Sequence, residues 1–231
     1  MLVGISGDIN SGKDLVGKMF QYLTSEYRDM YGFEHWLNRM EMYGSNPHSP
    51  IEIKKFAEKL KEIVCILLNC TREQLEDREF KNKELGEEWW YYKSTHVTDL
   101  GRLVQYQGNL SKATSQYWTV IKLTPRLLMQ LMGTECGRNI IHPNVWVNAT
   151  MGEFIPGKSN WALTDTRFPN EGNAIYQRNG IVLRLERPET DIKDRSNLHE
   201  SETALDLFKF TGILKNTKDL PYLLDQVKEY V

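Results

Sequence analysis

The 231-residue chain lacks the features that mark several large protein classes. No apolar run approaches the ~20 residues of a membrane-spanning helix, and the mean hydropathy of -0.52 excludes a helical integral membrane protein. The first residues, MLVGISGDINSGK, carry no basic start, long apolar stretch or small-residue cleavage site, so no secretory signal is visible. Cys65, Cys70 and Cys136 are odd in number and show no CxxC spacing. That removes a disulfide framework and a zinc knuckle, and makes a reducing cytoplasm the simplest location. Neither sign of charge dominates: 29 Lys+Arg face 31 Asp+Glu, for a net charge of -2. A non-specific binder of nucleic-acid polymer would need a basic surface to neutralise phosphates. Repeats, low-complexity segments and Ser/Gly linkers are absent too, so nothing divides the chain into independent domains. What is present is 40% hydrophobic and 11% aromatic residues, enough for a sizeable core.

The residues from Met1 to Ile5 read as a short buried strand, then a Gly-rich turn, then a helix from Lys13 to about Tyr27. The polar, aromatic, Gly/Pro-bearing stretch from Tyr31 to Pro50 reads as irregular. Over 54–68, Phe56, Leu60, Ile63, Val64, Leu67 and Leu68 recur at the spacing of an amphipathic helix, with Cys65 as a small core residue. Helical sequence is also expected around 98–107 and from Pro125 to about Asn139, with Pro at a first-turn position. Trp161–Thr164, Ile181–Leu185 and Gly212–Lys215 are strand-like runs beside helical sequence. Apolar strands alternating with helices predict an α/β fold with a mainly parallel sheet of about five strands.

Two motifs carry chemistry. Gly7-Asp-Ile-Asn10-Ser11-Gly12-Lys13 matches G-x-x-x-x-G-K directly after the first strand and at the opening of a helix. Glycines let such a loop curl so that backbone N–H groups converge on phosphate oxygens, and the helix adds its positive end. Lys13 would reach the β- and γ-phosphates. Asp14 replaces the usual hydroxyl residue; it either holds a metal ion through water or simply suits a helix N-terminus. The second motif is an acid at the end of a strand, Trp161-Ala-Leu-Thr-Asp165, where α/β sites lie. Arg167 two residues on supplies a phosphate-handling group beside a metal-handling one.

Nine segments in order across the chain resemble the deoxynucleoside monophosphate kinases of large tailed bacteriophages. They are Ser11-Gly-Lys-Asp14, Phe56-Ala-Glu-Lys-Leu-Lys61, Arg72-Glu-Gln-Leu-Glu-Asp-Arg78-Glu, Thr124-Pro-Arg126-Leu-Leu-Met-Gln-Leu-Met-Gly133-Thr134-Glu135, Val145-Trp146-Val147, Asp165-Thr-Arg167-Phe-Pro-Asn-Glu171, Arg187-Pro188, His199-Glu-Ser-Glu202 and the Gly212–Val231 unit. The resemblance implies a three-layer P-loop fold and transfer of the γ-phosphoryl group of ATP to a dNMP, with Mg²⁺. It makes Asp after the loop lysine ordinary, while the next residue, often a hydroxyl residue in the family, is Leu15 here.

The resemblance also implies roles. Gly7, Asn10, Ser11, Gly12, Lys13, Asp14 and Leu15 would surround ATP, with Asp14 and Asp165 near the metal. Arg126 would stabilise the phosphoryl group in flight together with Arg167; many relatives carry a second Arg where Leu127 stands. Lys61 and Arg78 would hold the acceptor, Arg78 being singled out of eight basic and seven acidic residues between 50 and 83. Gly133, Thr134, Trp146, Asp165 and Glu171 would line the acceptor's site. Gly133 could equally end a helix, and Trp146 could equally be core. The Trp89-Trp90-Tyr91-Tyr92 cluster reads as packing of an inserted helical region. Arg187 would clamp ATP phosphates from a lid near 187–200 that contains His199.

The expected whole is one kinase domain: a core of 1–30 and 160–231, an acceptor-binding helical region near 54–140, and the lid. Its partners would be small molecules, dNMP and ATP, with no nucleic-acid polymer and no membrane; the resemblance allows a homodimer. Two rival readings share the loop: another small-metabolite kinase, such as one acting on dephospho-coenzyme A, and a nucleotide-binding regulator without turnover.

Overall fold

Strand β1 (Leu2–Gly7) lies at the centre of a parallel sheet because its side chains find apolar cover on both faces. In the computed structural model the described residues are 1–43, 49–94, 103–104, 118–188 and 203–231. They form two units, Met1–Glu58 with Asn144–Val231, and Lys59–Pro143. In the first unit β1 pairs with β6 (Trp161–Leu163) on one side and β7 (Ile181–Glu186) on the other. Strands β2 (Glu52–Lys54) and β8 (Gly212–Lys215) extend the order to β2-β6-β1-β7-β8, with every pairing parallel.

Alternation along these strands builds two cores. Val3, Ile5, Ala162, Leu183, Leu185 and Leu214 face one side, packing with Val16, Met19 and Phe20 of α1 (Lys13–Leu23) and Leu223 and Val227 of α9 (Leu220–Lys228). Leu2, Trp161, Leu163 and Val182 face the other, with Val147 and Met151 of α7 (Val145–Met151) and Ala174 and Ile175 of α8 (Pro169–Tyr176). Helices on both faces of a parallel sheet make three layers, as expected for an α/β P-loop kinase fold. Each fully buried aliphatic side chain in those layers contributes about 1.5–3 kcal/mol.

The first unit departs from expectation in three places. Helix α1 stops at Leu23 rather than near Tyr27, because Thr24 Oγ1 donates back to the Phe20 carbonyl at 2.7 Å. One 3₁₀ turn, Glu26–Asp29, follows. The stretch after Tyr31 is not irregular: Phe33–Tyr43 forms α2. Phe33 and Trp36 are buried there and meet the Tyr22 ring with centroids 5.4 and 5.6 Å away, so aromatic packing overrides the Gly and Pro punctuation on either side. The edge strand β2 is an addition to the expected strands.

The second unit holds most of α3 (Glu58–Leu68), then α4 (Arg72–Glu76) and α5 (Arg78–Asn82). On α3 only Leu60 and Val64 are buried, while Ile63 and Leu67 of the expected apolar face are exposed. Phe56 is buried but precedes the helix and belongs to the core beside Trp161. Cys65 is half-buried, with its Sγ 3.7 Å from the Thr71 carbonyl, rather than a core residue. The Trp-Trp-Tyr-Tyr cluster is not helical packing: it ends a 3₁₀ turn and enters β3 (Tyr91–Ser94). That strand pairs antiparallel with β4 (Leu103–Val104) and β5 (Trp118–Ile121). A strand at 103–104 replaces the helix expected around 98–107; the remainder of that stretch lies outside the described residues. Helix α6 (Pro125–Gln130) starts on the Thr124 cap and continues into a π-helical segment, Leu131–Ile141, so Gly133 does not terminate it.

Candidate functional site

The loop between β1 and α1 sits at the carboxyl end of the sheet, the place where α/β folds bind ligands. Its curl rests on two left-handed residues, Asn10 (φ 64°) and Gly12 (φ 102°). Asn tolerates that region and Gly is at home in it. Gly7 is required for a different reason. A Cβ there would lie 2.6 Å from Ser11 Oγ and 2.7 Å from the Leu185 carbonyl. Ser11 Oγ is buried and has no hydrogen-bond partner among the described residues. Lys13 folds over the rim, its Nζ donating to the carbonyls of Gly7 at 2.8 Å and Asp8 at 2.6 Å.

Two residues that sequence reasoning passed over hold this loop. Arg184, inside β7, reaches Asp8 Oδ1 at 2.8 Å and Ser6 Oγ at 3.3 Å from beneath. Asn216, just past β8, donates its Nδ2 to the Ser11 carbonyl at 2.9 Å. Arg187, which was expected here, reaches the Asn10 carbonyl at 3.5 Å. The expected lid from 189 to 200, including His199, lies outside the described residues, as does Glu202 of the same segment. Leu15 turns its side chain to the apolar core, so it can meet a nucleotide only through its backbone.

Asp14 is exposed on the first turn of α1. The Thr164 hydroxyl donates to its Oδ1 at 2.5 Å, and Lys55 Nζ lies 3.0 Å from Oδ1 and 3.1 Å from Oδ2. Partial desolvation raises its carboxyl pKa, but the Thr164 hydrogen bond and the Lys55 and Lys13 charges outweigh that and hold it below the ordinary carboxylate range. Thr164 and Lys55 were not anticipated. The only trace of Thr164 in the sequence is its place next to Asp165 at the strand end.

Asp165 is used differently from the expected metal ligand. Its two oxygens accept the backbone N–H groups of Phe56 at 2.7 Å and Ala57 at 3.0 Å, clipping the segment after β2 to the end of β6. Glu171 is likewise not open to a substrate. It is 2% exposed, and its Oε2 accepts from the backbone of Arg167 at 2.7 Å and Phe168 at 3.1 Å. It caps α8 and fixes the backbone that carries Arg167. The Glu three residues after Phe168, with Pro between, was a legible capping signal. Trp146 is buried at 6% exposure, the core alternative rather than a stacking platform.

In the second unit, Glu76 gathers three cations: Lys61 at 2.6 Å, Lys81 at 2.8 Å and Arg72 at 3.1 Å. Burial would raise the Glu76 pKa, but hydrogen bonds and charge from Lys61 and Lys81 bring it down to about 2. Arg78 and Arg126 are tied through Asn82, which donates to the Arg78 carbonyl at 2.9 Å and accepts from Arg126 Nε at 2.8 Å. The Asn82 contact thus ties the Arg126 side chain to the main chain of α5, which Arg78 opens, and Lys61 lies in a cluster with a net positive charge. Gly133 and Thr134 are buried, and a Cβ at Gly133 would lie 3.0 Å from Leu60 Cδ2. Close packing on α3, rather than approach to a ligand, accounts for that glycine.

A loop curled through left-handed Asn10 and Gly12, a lysine and an exposed carboxylate at one sheet end can bind a nucleotide's phosphates. A single carboxylate also fits Mg²⁺, which keeps waters and takes one or two carboxylates plus phosphate oxygens. Among the described residues no three His, Cys, Asp or Glu side chains form an all-protein metal site, and no helix is long and apolar enough to cross a membrane. No family model matches the chain. It is similar to deoxynucleoside-5'-monophosphate kinase of Escherichia phage T5, 24% identical over 208 residues, which is 79% of this chain and 74% of that protein. The match bears out the resemblance carried by the nine segments.

Proposed function

We propose that the protein is an ATP-dependent deoxynucleoside monophosphate kinase, making dNDP and ADP for the supply of phage DNA precursors. The observation that carries this reading is the loop itself: left-handed Gly12, Lys13 on the rim and exposed Asp14 at the carboxyl end of a parallel sheet. The likeness to the phage T5 kinase supplies the acceptor class.

Phosphoryl transfer demands alignment and charge neutralisation more than covalent chemistry. The loop amides and Lys13 take the donor phosphates. Lys13 exchanges its two carbonyl partners for phosphate oxygens, and Arg187 adds charge beside Asn10. Asp14, oriented by Thr164, would hold Mg²⁺, which would supply charge neutralisation to the donor phosphates. Asp165 acts by position, fixing the segment that carries Lys55. Arg167, held by the Glu171 cap, and Arg126 stabilise the group in flight. Lys61 and Arg78 bind the acceptor phosphate; an ionised phosphate nucleophile needs no general base.

The test is a coupled ADP-release assay with a panel of dNMPs and with dephospho-coenzyme A. Turnover is expected with at least one dNMP, and Lys13→Ala should lower it by about 10²-fold or more while circular dichroism shows an unchanged fold. Near-normal turnover in that variant, or turnover with dephospho-coenzyme A alone, overturns the assignment.

A further inference from the structure

Lys55 stands beside the loop, and the scheme above gives its ammonium no role. It follows directly after β2, and the next two backbone N–H groups are held by the Asp165 carboxylate. Its main chain is thus anchored to the strand end that leads to Arg167. Its neighbour Lys54 turns the other way, pairing with Glu52 at 3.2 Å and lying over the Trp161 ring at 5.4 Å from its centroid. Lys55 instead places its ammonium almost symmetrically across the Asp14 carboxylate, 3.0 Å from one oxygen and 3.1 Å from the other. A divalent cation held by Asp14 would compete with Lys55 for those oxygens.

Stability does not account for the contact. The Asp14 side chain is 62% exposed and that of Lys55 30% exposed. Ion pairs in such surroundings shift an equilibrium by only about two- to five-fold. A weak pair is what an exchangeable seat requires. A lysine on a flexible four-carbon stem can leave one anion for another without moving its backbone.

From this geometry we infer that Lys55 is the resident counter-cation of Asp14: it holds the metal's seat while the site is empty and moves to the transferred phosphoryl group once Mg²⁺ and nucleotide are bound. The inference rests on the kinase reading and adds a positioned cation to it. Without the metal, Lys55 and the Thr164 hydroxyl together hold the Asp14 carboxylate in one orientation. In the loaded site Lys55 adds three N–H donors where charge develops.

The experiment is calorimetric titration of a non-hydrolysable ATP analogue at a series of Mg²⁺ concentrations, for the wild type, Lys55→Met and Lys55→Arg, with turnover measured at saturating Mg²⁺. With its competitor removed, Lys55→Met should reach half-saturation at about two- to five-fold lower Mg²⁺, yet turn over about tenfold or more slowly. Lys55→Arg should lie near the wild type in both. A purely structural lysine would not tighten metal dependence while slowing chemistry. Unchanged Mg²⁺ dependence in Lys55→Met, or unchanged turnover at saturation, overturns the inference and leaves the kinase reading standing. Absence of Mg²⁺-dependent nucleotide binding in the wild type overturns both.

Discussion

Arg184 Nη2 lies 2.8 Å from Asp8 Oδ1, so an ion pair buried between the sheet and the phosphate loop supports the loop from below. The Asp8 side chain is 6% exposed and that of Arg184 19% exposed. Asp8 also gives its carbonyl to Lys13, so the residue that anchors the loop also seats the lysine on its rim.

Removing one partner of such a pair is expected to cost far more than removing both. Arg184→Met leaves a buried carboxylate and should lower unfolding stability by about 3 kcal/mol, with Asp8→Asn/Arg184→Met recovering part of the loss. Urea unfolding of the wild type, the single variant and the double variant reads this directly. A single variant as stable as the wild type would contradict the role given to the pair.

Gly12 should resist substitution for two separable reasons. Its φ of 102° disfavours any side chain, and an added Cβ would meet Asn216 Nδ2 at 3.1 Å. Gly12→Ala is expected to lose about 1–2 kcal/mol from backbone strain and to weaken nucleotide binding. Asn216→Ala, which strips the donor from the Ser11 carbonyl, should cost about 1 kcal/mol. In the double variant the two losses should sum to less than strict additivity, because removing the Asn216 amide also removes the atom that the added Cβ would meet. Strict additivity in nucleotide affinity would show that Asn216 does not hold the loop.

Glu76 predicts an acid limb in stability. Its pKa is held at about 2 in the folded protein against an ordinary 4.5. A depressed carboxyl adds stability that is complete above pH 4.5 and is lost as pH falls towards 2. The side chain is 42% exposed, so solvent screening limits the contribution to about 1 kcal/mol or less. Glu76→Gln should therefore be less stable than the wild type at pH 7 and converge on it as the pH approaches 2, read by chemical unfolding at both ends. A constant gap across that range would assign the difference to something other than titration.

Periodicity and local motif chemistry determined the core of this protein. The apolar runs at Leu2, Trp161, Ile181 and Gly212 became parallel strands, and the turn from Gly7 to Lys13 lies where the first of them hands over to a helix. Such features depend on neighbours a few residues away. Helix α2 was hidden because Tyr22, one helix earlier, supplies the partner that stabilises Phe33 and Trp36. The aromatic run entering β3 was read as helical packing because its antiparallel partners, 103–104 and Trp118–Ile121, lie ten and more residues further on.

At the site the division is the same. Lys13 and the loop glycines are determined by adjacency in the chain. Which carboxylate stays exposed beside the loop was decided only by tertiary structure. Asp14 and Asp165 look equally suited in sequence, yet Asp165 is drawn to the backbone N–H groups of Phe56 and Ala57, more than a hundred residues away. Asp14 is met by Thr164, 150 residues on. A carboxylate goes to whichever donors the fold leaves unsatisfied nearby, and strand order in the sheet, not residue type, sets those donors.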